Sequence, residues 1–499
     1  MTAITNIGTS SIRRLKTGIP GMDEVLGGGL PEFSFNLIAG EPGCGKTTLA
    51  HQIMFALATP ERPALYFTVL GEPPIKMLRY QQQFSFFDLD KVNRAIRFIN
   101  LSEVTATGDL SQVMARILAE VEARGPGLVF IDSFRSMVLA GEGEAHSLVG
   151  LQKFIQDLGV QMTCWQATTF LIGEYFNADD PNPIFTVADG LIWLRQSTQG
   201  NSVVRKMEVR KMRGQPTLSG LHTFRIGPSG LQVFAPIQPT ISPQAGSNRP
   251  ESRRLCSGVP LLDGMLGGGL PVGYTLLLAG PSGSGKSLLA SAFLVEGARR
   301  GETGVIAAFE QHPNRARGRE LSSLIESGRI GVVETGAQSL SVDEMATLLI
   351  AEIKRLQATR VVIDSLSGFE LALAPTFRED YRESLARLVA ALTSTGATVV
   401  MTSELEDRYT DLRFSPYGTA FLTDAIIVLR YVEVQGRLLR VLAVVKVRDS
   451  AHSDELRSFT IDNDGIQIGQ RMTGLEGLLC GTPSRTYDGF HRDGEVPSA

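Results

Sequence analysis

Gly40-Glu41-Pro42-Gly43-Cys44-Gly45-Lys46-Thr47 and Gly280-Pro281-Ser282-Gly283-Ser284-Gly285-Lys286-Ser287 decide how this chain is read. Both fit G-x-x-x-x-G-K-[ST], and Lys286 stands 240 residues after Lys46. Each follows a short apolar run, Phe35 to Ala39 and Leu276 to Ala279, and opens onto a stretch patterned as a helix, Thr48 to Phe55 and Leu288 to Val295. That strand–loop–helix setting separates a working phosphate loop from a chance match. Glycines let backbone N–H groups turn inward around an anion, and the helix N-terminus adds positive potential there. In this reading Lys46 and Lys286 reach the β- and γ-phosphates, Thr47 and Ser287 hold Mg²⁺, and Thr48 and Leu288 complete the cradles. Two such loops in register imply a nucleotide-binding protein.

The 499 residues are enough for two or three domains with separate cores. Apolar content of 43 % and charged content of 20 % are those of an ordinary globular chain. A formal charge of −4 gives no global attraction to nucleic acid or to an anionic membrane. Cys44, Cys164, Cys256 and Cys480 lack metal-ligand spacing, and a disulfide at Cys44 would obstruct the loop, so free thiols in a reducing cytosol are expected. Residues 1–15 carry Arg13 and Arg14 with no apolar signal core, and no apolar run approaches the roughly 20 residues that span a bilayer. A cytoplasmic location without membrane attachment is the expectation.

The repeat extends beyond the loops. Gly18-Ile-Pro-Gly-Met-Asp-Glu-Val-Leu-Gly-Gly-Gly-Leu-Pro31 realigns with Gly258-Val-Pro-Leu-Leu-Asp-Gly-Met-Leu-Gly-Gly-Gly-Leu-Pro271. Each copy then has a second strand, Ala64 to Leu70 and Gly304 to Phe309, and an amphipathic helix. Val113, Ile117 and Val121 share one face in the first copy. In the second, Ser341 and Glu344 form a capping-box pattern before a stripe of Val342, Met345, Leu349, Ile353 and Leu356. An apolar strand ending in Asp-Ser follows each time, at Asp132-Ser133 and Asp364-Ser365. A further helix carries Leu385, Leu388, Val389 and Leu392 ahead of the strand Thr398 to Met401. Alternating strands and helices predict an α/β fold with a mostly parallel sheet covered on both faces. Hairpin-like alternation closes each copy, Gly190 to Arg213 and Ala425 to Arg448. The domains are read as residues 1–240, with a Pro/Ser/Gln/Asn-rich linker over 236–254, and 255–475; the polar stretch 476–499 reads as a disordered tail.

Asp132 and Asp364, each ending a buried strand, are the expected Mg²⁺-side carboxylates opposite Thr47 and Ser287. An Asp-Ser after a strand also serves simply to cap the next helix. Hydrolysis further requires a group that orients or deprotonates water. Glu310, with Gln311 beside it, is that candidate in the second copy. Its counterpart in the first copy is Leu70, followed by Gly71, so Glu72 is the nearest carboxylate, about 6–7 Å further along an extended strand. The first site is therefore expected to bind nucleotide and hydrolyse it slowly.

Taken together, the glycine-rich approach segments, the two phosphate loops, the Ile-Asp-Ser strands and the closing segments resemble KaiC, the family of double-domain circadian clock ATPases and autokinases within the RecA/RadA-like group, over about residues 15 to 470. The resemblance implies two tandem RecA-like P-loop NTPase domains and a two-tiered homohexamer with ATP at subunit boundaries. It implies that the family's adjacent glutamate pair survives as Glu310-Gln311 and is lost at Leu70-Gly71. It implies that Lys211 and Arg213, and likewise Lys446 and Arg448, reach across a boundary toward a neighbour's γ-phosphate, the arginine-finger arrangement. The family's Ser-Thr phosphorylation pair aligns with Ala420-Phe421, neither of which has a hydroxyl. Autophosphorylation therefore falls to Thr419 or Thr423, with Glu310 as base and Thr419 preferred. The end of the chain shows no match to the family's partner-binding tail, which leaves any signalling partner unnamed.

Two other functions share the fold. A DNA-dependent motor would need basic loops facing a ring axis. Residues 173–190 hold Glu174, Asp179, Asp180 and Asp189 without Lys or Arg, and 404–424 are net acidic despite Arg408 and Arg413, so no nucleic acid is expected. A nucleotide-switched scaffold with little turnover is favoured only in the first half, by Leu70. The guanine-specific Asn-Lys-x-Asp is absent, which favours ATP, with Mg²⁺, over GTP.

Overall fold

Runs such as Phe35-Asn-Leu-Ile-Ala-Gly40 and Leu128-Val-Phe-Ile-Asp132 are apolar on both sides of the backbone, which suits strands covered by helices on two faces. The computed structural model describes residues 12–69, 74–92, 94–106, 109–139, 148–177, 182–199, 202–236, 253–309, 319–334, 340–373, 381–405, 422–462, 465–477 and 484–485. The chain divides into two units, Met1–Pro236 and Ile237–Ala499. Each contains one nine-stranded sheet.

In the first unit the strand order across the sheet is Gly230–Phe234, Leu221–Gly227, Ser202–Met212, Gly190–Gln199, Phe35–Gly40, Thr168–Glu174, Leu128–Asp132, Ala64–Thr68, Ile96–Asn100. The pairings from Gly190–Gln199 to Ile96–Asn100 are parallel, and the remaining ones are antiparallel. The second unit repeats this order: Gly465–Arg471, Arg457–Asp462, Arg437–Val447, Ala425–Val434, Thr275–Gly280, Thr398–Glu404, Arg360–Asp364, Gly304–Ala308, Ile330–Glu334. The expected mostly parallel sheet and tandem RecA-like P-loop architecture are present in both. The closing segments extend further than the sequence pattern indicates, because a second hairpin, 221–234 or 457–471, follows the first in each unit. Within 476–499, Ser484–Arg485 pairs with Leu475–Glu476, and most of the remainder lies outside the described residues, as does most of the 236–254 linker.

Helix ends follow local chemistry. Asp109 caps Leu110–Arg124 by accepting from Ser111 N at 2.8 Å, and Gly125 ends it in the left-handed conformation. Ser341 Oγ accepts from Glu344 N at 3.1 Å to start Val342–Leu356. Buried Val113, Ile117 and Val121 in the first helix, and Met345, Leu349 and Ile353 in the second, face one side of each sheet. The phosphate-loop helices Lys46–Leu57 and Lys286–Arg299 cover the other side.

That second side differs between the units. In the first, His51 on the phosphate-loop helix packs on Tyr66 at 4.7 Å between ring centroids, and Tyr66, Phe130 and Phe170 stack in sequence across the sheet. In the second unit this layer is aliphatic, with Ile306, Val362 and Val400 all buried. His51 is fully buried, and neither ring nitrogen makes a hydrogen bond of good geometry among the described residues. Burial pushes its pKa from 6.5 to about 4, with neighbouring Gln81 opposing the shift. The unfolded imidazole takes a proton below 6.5, whereas the folded one refuses it until about 4. Its contribution to stability is thus present above 6.5 and is lost as the pH falls toward 4. The expected loss is about 3 kcal/mol. Denaturant melts at several pH values should show His51→Phe removing that part of the acid sensitivity.

Candidate functional site

Each phosphate loop springs from the C-terminal end of a central parallel strand, the position where open α/β sheets bind ligands. Gly45 and Gly285 begin the helices with φ of 106° and 102°. That left-handed backbone favours glycine, and a Cβ there would also press on the side-chain tips of Ile226 and Ile461 in the second closing hairpin, at 2.7 and 2.9 Å from Cδ1. Lys46 Nζ donates to Glu41 O at 2.8 Å, and Lys286 Nζ donates to Gly280 O and Pro281 O at 2.9 and 2.8 Å. Both ammonium groups are buried against carbonyls of their own loops. Cys44 is buried beneath the first loop, and burial pushes its thiol pKa up.

Thr47 Oγ1 donates to Asp132 Oδ2 at 3.0 Å, and Ser287 Oγ donates to Asp364 Oδ1 at 3.1 Å. A strand intervenes between each phosphate-loop strand and its Asp strand, so the hydroxyl and the carboxylate meet across the top of the sheet. A further side chain fixes each carboxylate, and it differs between halves. Tyr66 OH donates to Asp132 Oδ2 at 2.7 Å, whereas Thr402 Oγ1 donates to Asp364 Oδ1 at 2.5 Å. Burial raises the Asp132 pKa, while the bonds from Tyr66 and Thr47 pull the other way. Burial first, and Asp132 second, push the Tyr66 phenol well above 10, so it remains a donor.

A cleft of about 420 Å³ opens over the first loop, a volume suited to a small ligand. Its lining includes Lys46, Thr47, Thr48, Asp132, Glu174 and Tyr80. Glu174, read in the sequence only as part of an acidic loop, ends the strand between the loop strand and the Asp132 strand and lines the cleft. Among the described residues no cluster of three His, Cys, Asp or Glu could hold a metal by itself. A hydroxyl beside one carboxylate is instead the partial shell Mg²⁺ accepts, since that ion draws its other ligands from phosphate and water.

The basic pairs lie at the opposite end of the sheet. Arg213 N bonds to Asp189 O, and Asp189 N to Phe35 O, at the start of the strand that reaches the loop five residues later at Gly40. About 16 Å of extended strand separates these levels, so neither Arg213 nor Arg448 can serve the loop of its own domain. Lys211 Nζ donates to Thr186 O at 2.8 Å, and Lys446 Nζ to Thr423 O at 2.7 Å. Partial burial, then the adjacent arginine, lowers both lysine pKa values. The lysines are partly buried, while the Arg213 and Arg448 side chains are exposed and paired with Asp189 and Asp424.

Glu72, Glu310, Gln311 and Thr419 lie outside the described residues, as do 178–181 and 406–421 of the acidic loops. Thr423 is fully buried. No helix among the described residues is long and apolar enough to cross a membrane.

Two phosphate loops on RecA-like sheets, each facing a strand-end aspartate, define a tandem P-loop nucleotide-binding protein. The family model for the KaiC ATPase matches twice, over residues 15–238 and 255–473. The chain belongs to the KaiC ATPase family. It is 27 % identical to the circadian clock oscillator protein KaiC of a Picosynechococcus species, over 97 % of this chain and 95 % of that one. It is 28 % identical to the KaiC of Rippkaea orientalis, covering 96 % and 92 %, and 28 % identical to KaiC 1 of a Synechocystis species, covering 96 % and 93 %.

Proposed function

We propose that the chain binds ATP with Mg²⁺ in both halves and hydrolyses it, in a homohexameric ring whose boundaries complete the sites. The observation that carries this reading is the separation within each domain of a phosphate loop at one end of the sheet from a Lys-x-Arg pair at the other. A head-to-tail ring would bring one chain's pair to the next chain's loop. Lys46 and Lys286 hold the β- and γ-phosphates, and Thr47 with Asp132 and Ser287 with Asp364 hold the metal, which neutralises phosphate charge when bound. Arg213 and Arg448 stabilise charge on a neighbour's γ-phosphoryl group.

Glu310 would orient water in the carboxy-terminal site. The amino-terminal site has Leu70 at that position, with Glu72 next along the chain and Glu174 in the cleft, so it turns over more slowly. The acidic composition of 173–190 and 404–424 keeps DNA work as the weaker reading.

Autophosphorylation belongs to the same proposal in a restricted form. Thr423 is buried, which favours Thr419 as the acceptor in the carboxy-terminal half, with Glu310 as its base. Intact mass after incubation with ATP and Mg²⁺ should show one added phosphate on wild type and none on Thr419→Ala. No added phosphate on wild type removes the kinase activity and leaves the ATPase. Timing or signalling through partner proteins is the biological role most in keeping with the clock-protein relatives.

A further inference from the structure

The same four-point clamp occurs in both halves, on an aspartate that no phosphate-loop motif includes. Asp189 N donates to Phe35 O at 2.7 Å, and its Oδ2 accepts from Phe35 N at 3.0 Å. Its carbonyl accepts from Arg213 N at 2.9 Å, and its Oδ1 accepts from Arg213 Nη1 at 3.0 Å. Asp424 repeats each contact. It donates to Thr275 O at 3.0 Å, accepts from Thr275 N at 3.0 Å, accepts from Arg448 N at 2.8 Å and accepts from Arg448 Nη1 at 3.3 Å. Thr275 Oγ1 adds a bond to Asp424 Oδ2 at 2.9 Å. In each half the aspartate precedes its arginine by 24 positions.

A surface ion pair alone would be worth little. Here each carboxylate is divided, with one oxygen on the first residue of the phosphate-loop strand and the other on the guanidinium. The arginine side chains remain 59 % and 48 % exposed, so they are aimed by one edge and presented outward by the rest. Phe35 and Thr275 begin strands that end at Gly40 and Gly280, the first residues of the loops. The aspartate therefore joins the arginine a chain offers to its neighbour to the strand that carries its own nucleotide loop.

The geometry points to Asp189 and Asp424 as positioning residues that set the arginine reaching the next subunit's γ-phosphate and tie its placement to the chain's own phosphate-loop strand. This rests on the ring reading given above. Neither carboxylate touches nucleotide; each acts through Arg213 or Arg448. Loss of the clamp lowers turnover in the neighbouring subunit and leaves nucleotide binding in the subunit that carries the change.

Mixing full-length chains tests this. Asp424→Asn keeps an oxygen for Thr275 N but loses the charge that holds Arg448. Alone, it should lower kcat of the carboxy-terminal site by about tenfold to a hundredfold, with the KM for ATP within about twofold of wild type. Lys286→Ala alone should be inactive at that site while still presenting an intact Arg448. In random equimolar rings about a quarter of boundaries pair an intact arginine with an intact loop. Asp424→Asn mixed with Lys286→Ala should then exceed the mean of the two unmixed samples, as should Arg448→Ala mixed with Lys286→Ala. Recovery with Arg448→Ala but not with Asp424→Asn overturns the positioning role and leaves the ring reading intact. No recovery in either mixture defeats the ring reading itself. Should Asp424→Asn not fold, Thr275→Val, which removes one bond to the carboxylate, should lower kcat about threefold at unchanged KM, and an unaltered kcat contradicts the inference.

Discussion

Arg448→Ala is expected to lower turnover at the carboxy-terminal site by about a thousandfold while leaving nucleotide bound there. The reason is positional. Arg448 stands beside Thr275, at the far end of the strand from Gly280, so removing it alters nothing in the cradle of its own domain. In the ring proposed above, what disappears is the positive charge offered to a neighbour's γ-phosphoryl group as bonding to the leaving oxygen weakens. Phosphate release in a single turnover and equilibrium binding of ATP together check this, because the first should collapse and the second should not. Arg213→Ala should act in the same sense on the amino-terminal site, against a smaller starting rate.

Lys286→Ala has the opposite profile: both nucleotide retention and turnover at the carboxy-terminal site should fall, by at least about a hundredfold. Lys286 is buried and held by two carbonyls of its own loop, so the charge proposed to meet the phosphates is fixed within that loop. Lys46→Ala should remove nucleotide from the amino-terminal cleft but reduce total phosphate release much less, since that half has Leu70 where the other has Glu310. Phosphate release from both variants decides between an ATPase and a nucleotide-switched scaffold. If neither change lowers turnover, hydrolysis at these loops is excluded.

The features legible in the sequence are those whose chemistry is local. The phosphate loops, the strands ending in Asp132 and Asp364 and the Ser341–Glu344 cap each declare themselves within a few residues. The residues that complete the sites come from lateral neighbours in the sheet. Tyr66 reaches Asp132 because Ala64–Thr68 lies beside Leu128–Asp132, with Thr68 level with Asp132. Thr402 reaches Asp364 from the strand on the opposite side of it. No spacing rule anticipates that the two halves would clamp the same aspartate from opposite sides.

Asp189 is legible only as an acidic member of a loop, and Asp424 only as that and as the neighbour of Thr423, because their role depends on Phe35 and Thr275, which lie 154 and 149 positions away in sequence. Recurrence of the 24-residue spacing to an arginine was the one available signal. The second closing hairpins escaped for a different reason. Strands such as Leu221–Gly227 and Arg457–Asp462 mix exposed and buried positions and draw their stability from pairing with the preceding hairpin rather than from a strong pattern of their own.

The most direct test is the adenine nucleotide content of the purified full-length chain in the presence of Mg²⁺, measured for wild type and for Lys46→Ala and Lys286→Ala. Two working cradles predict two nucleotides per wild-type chain and about one in each variant. A chain that holds none, or that holds the same number after both substitutions, contradicts the account.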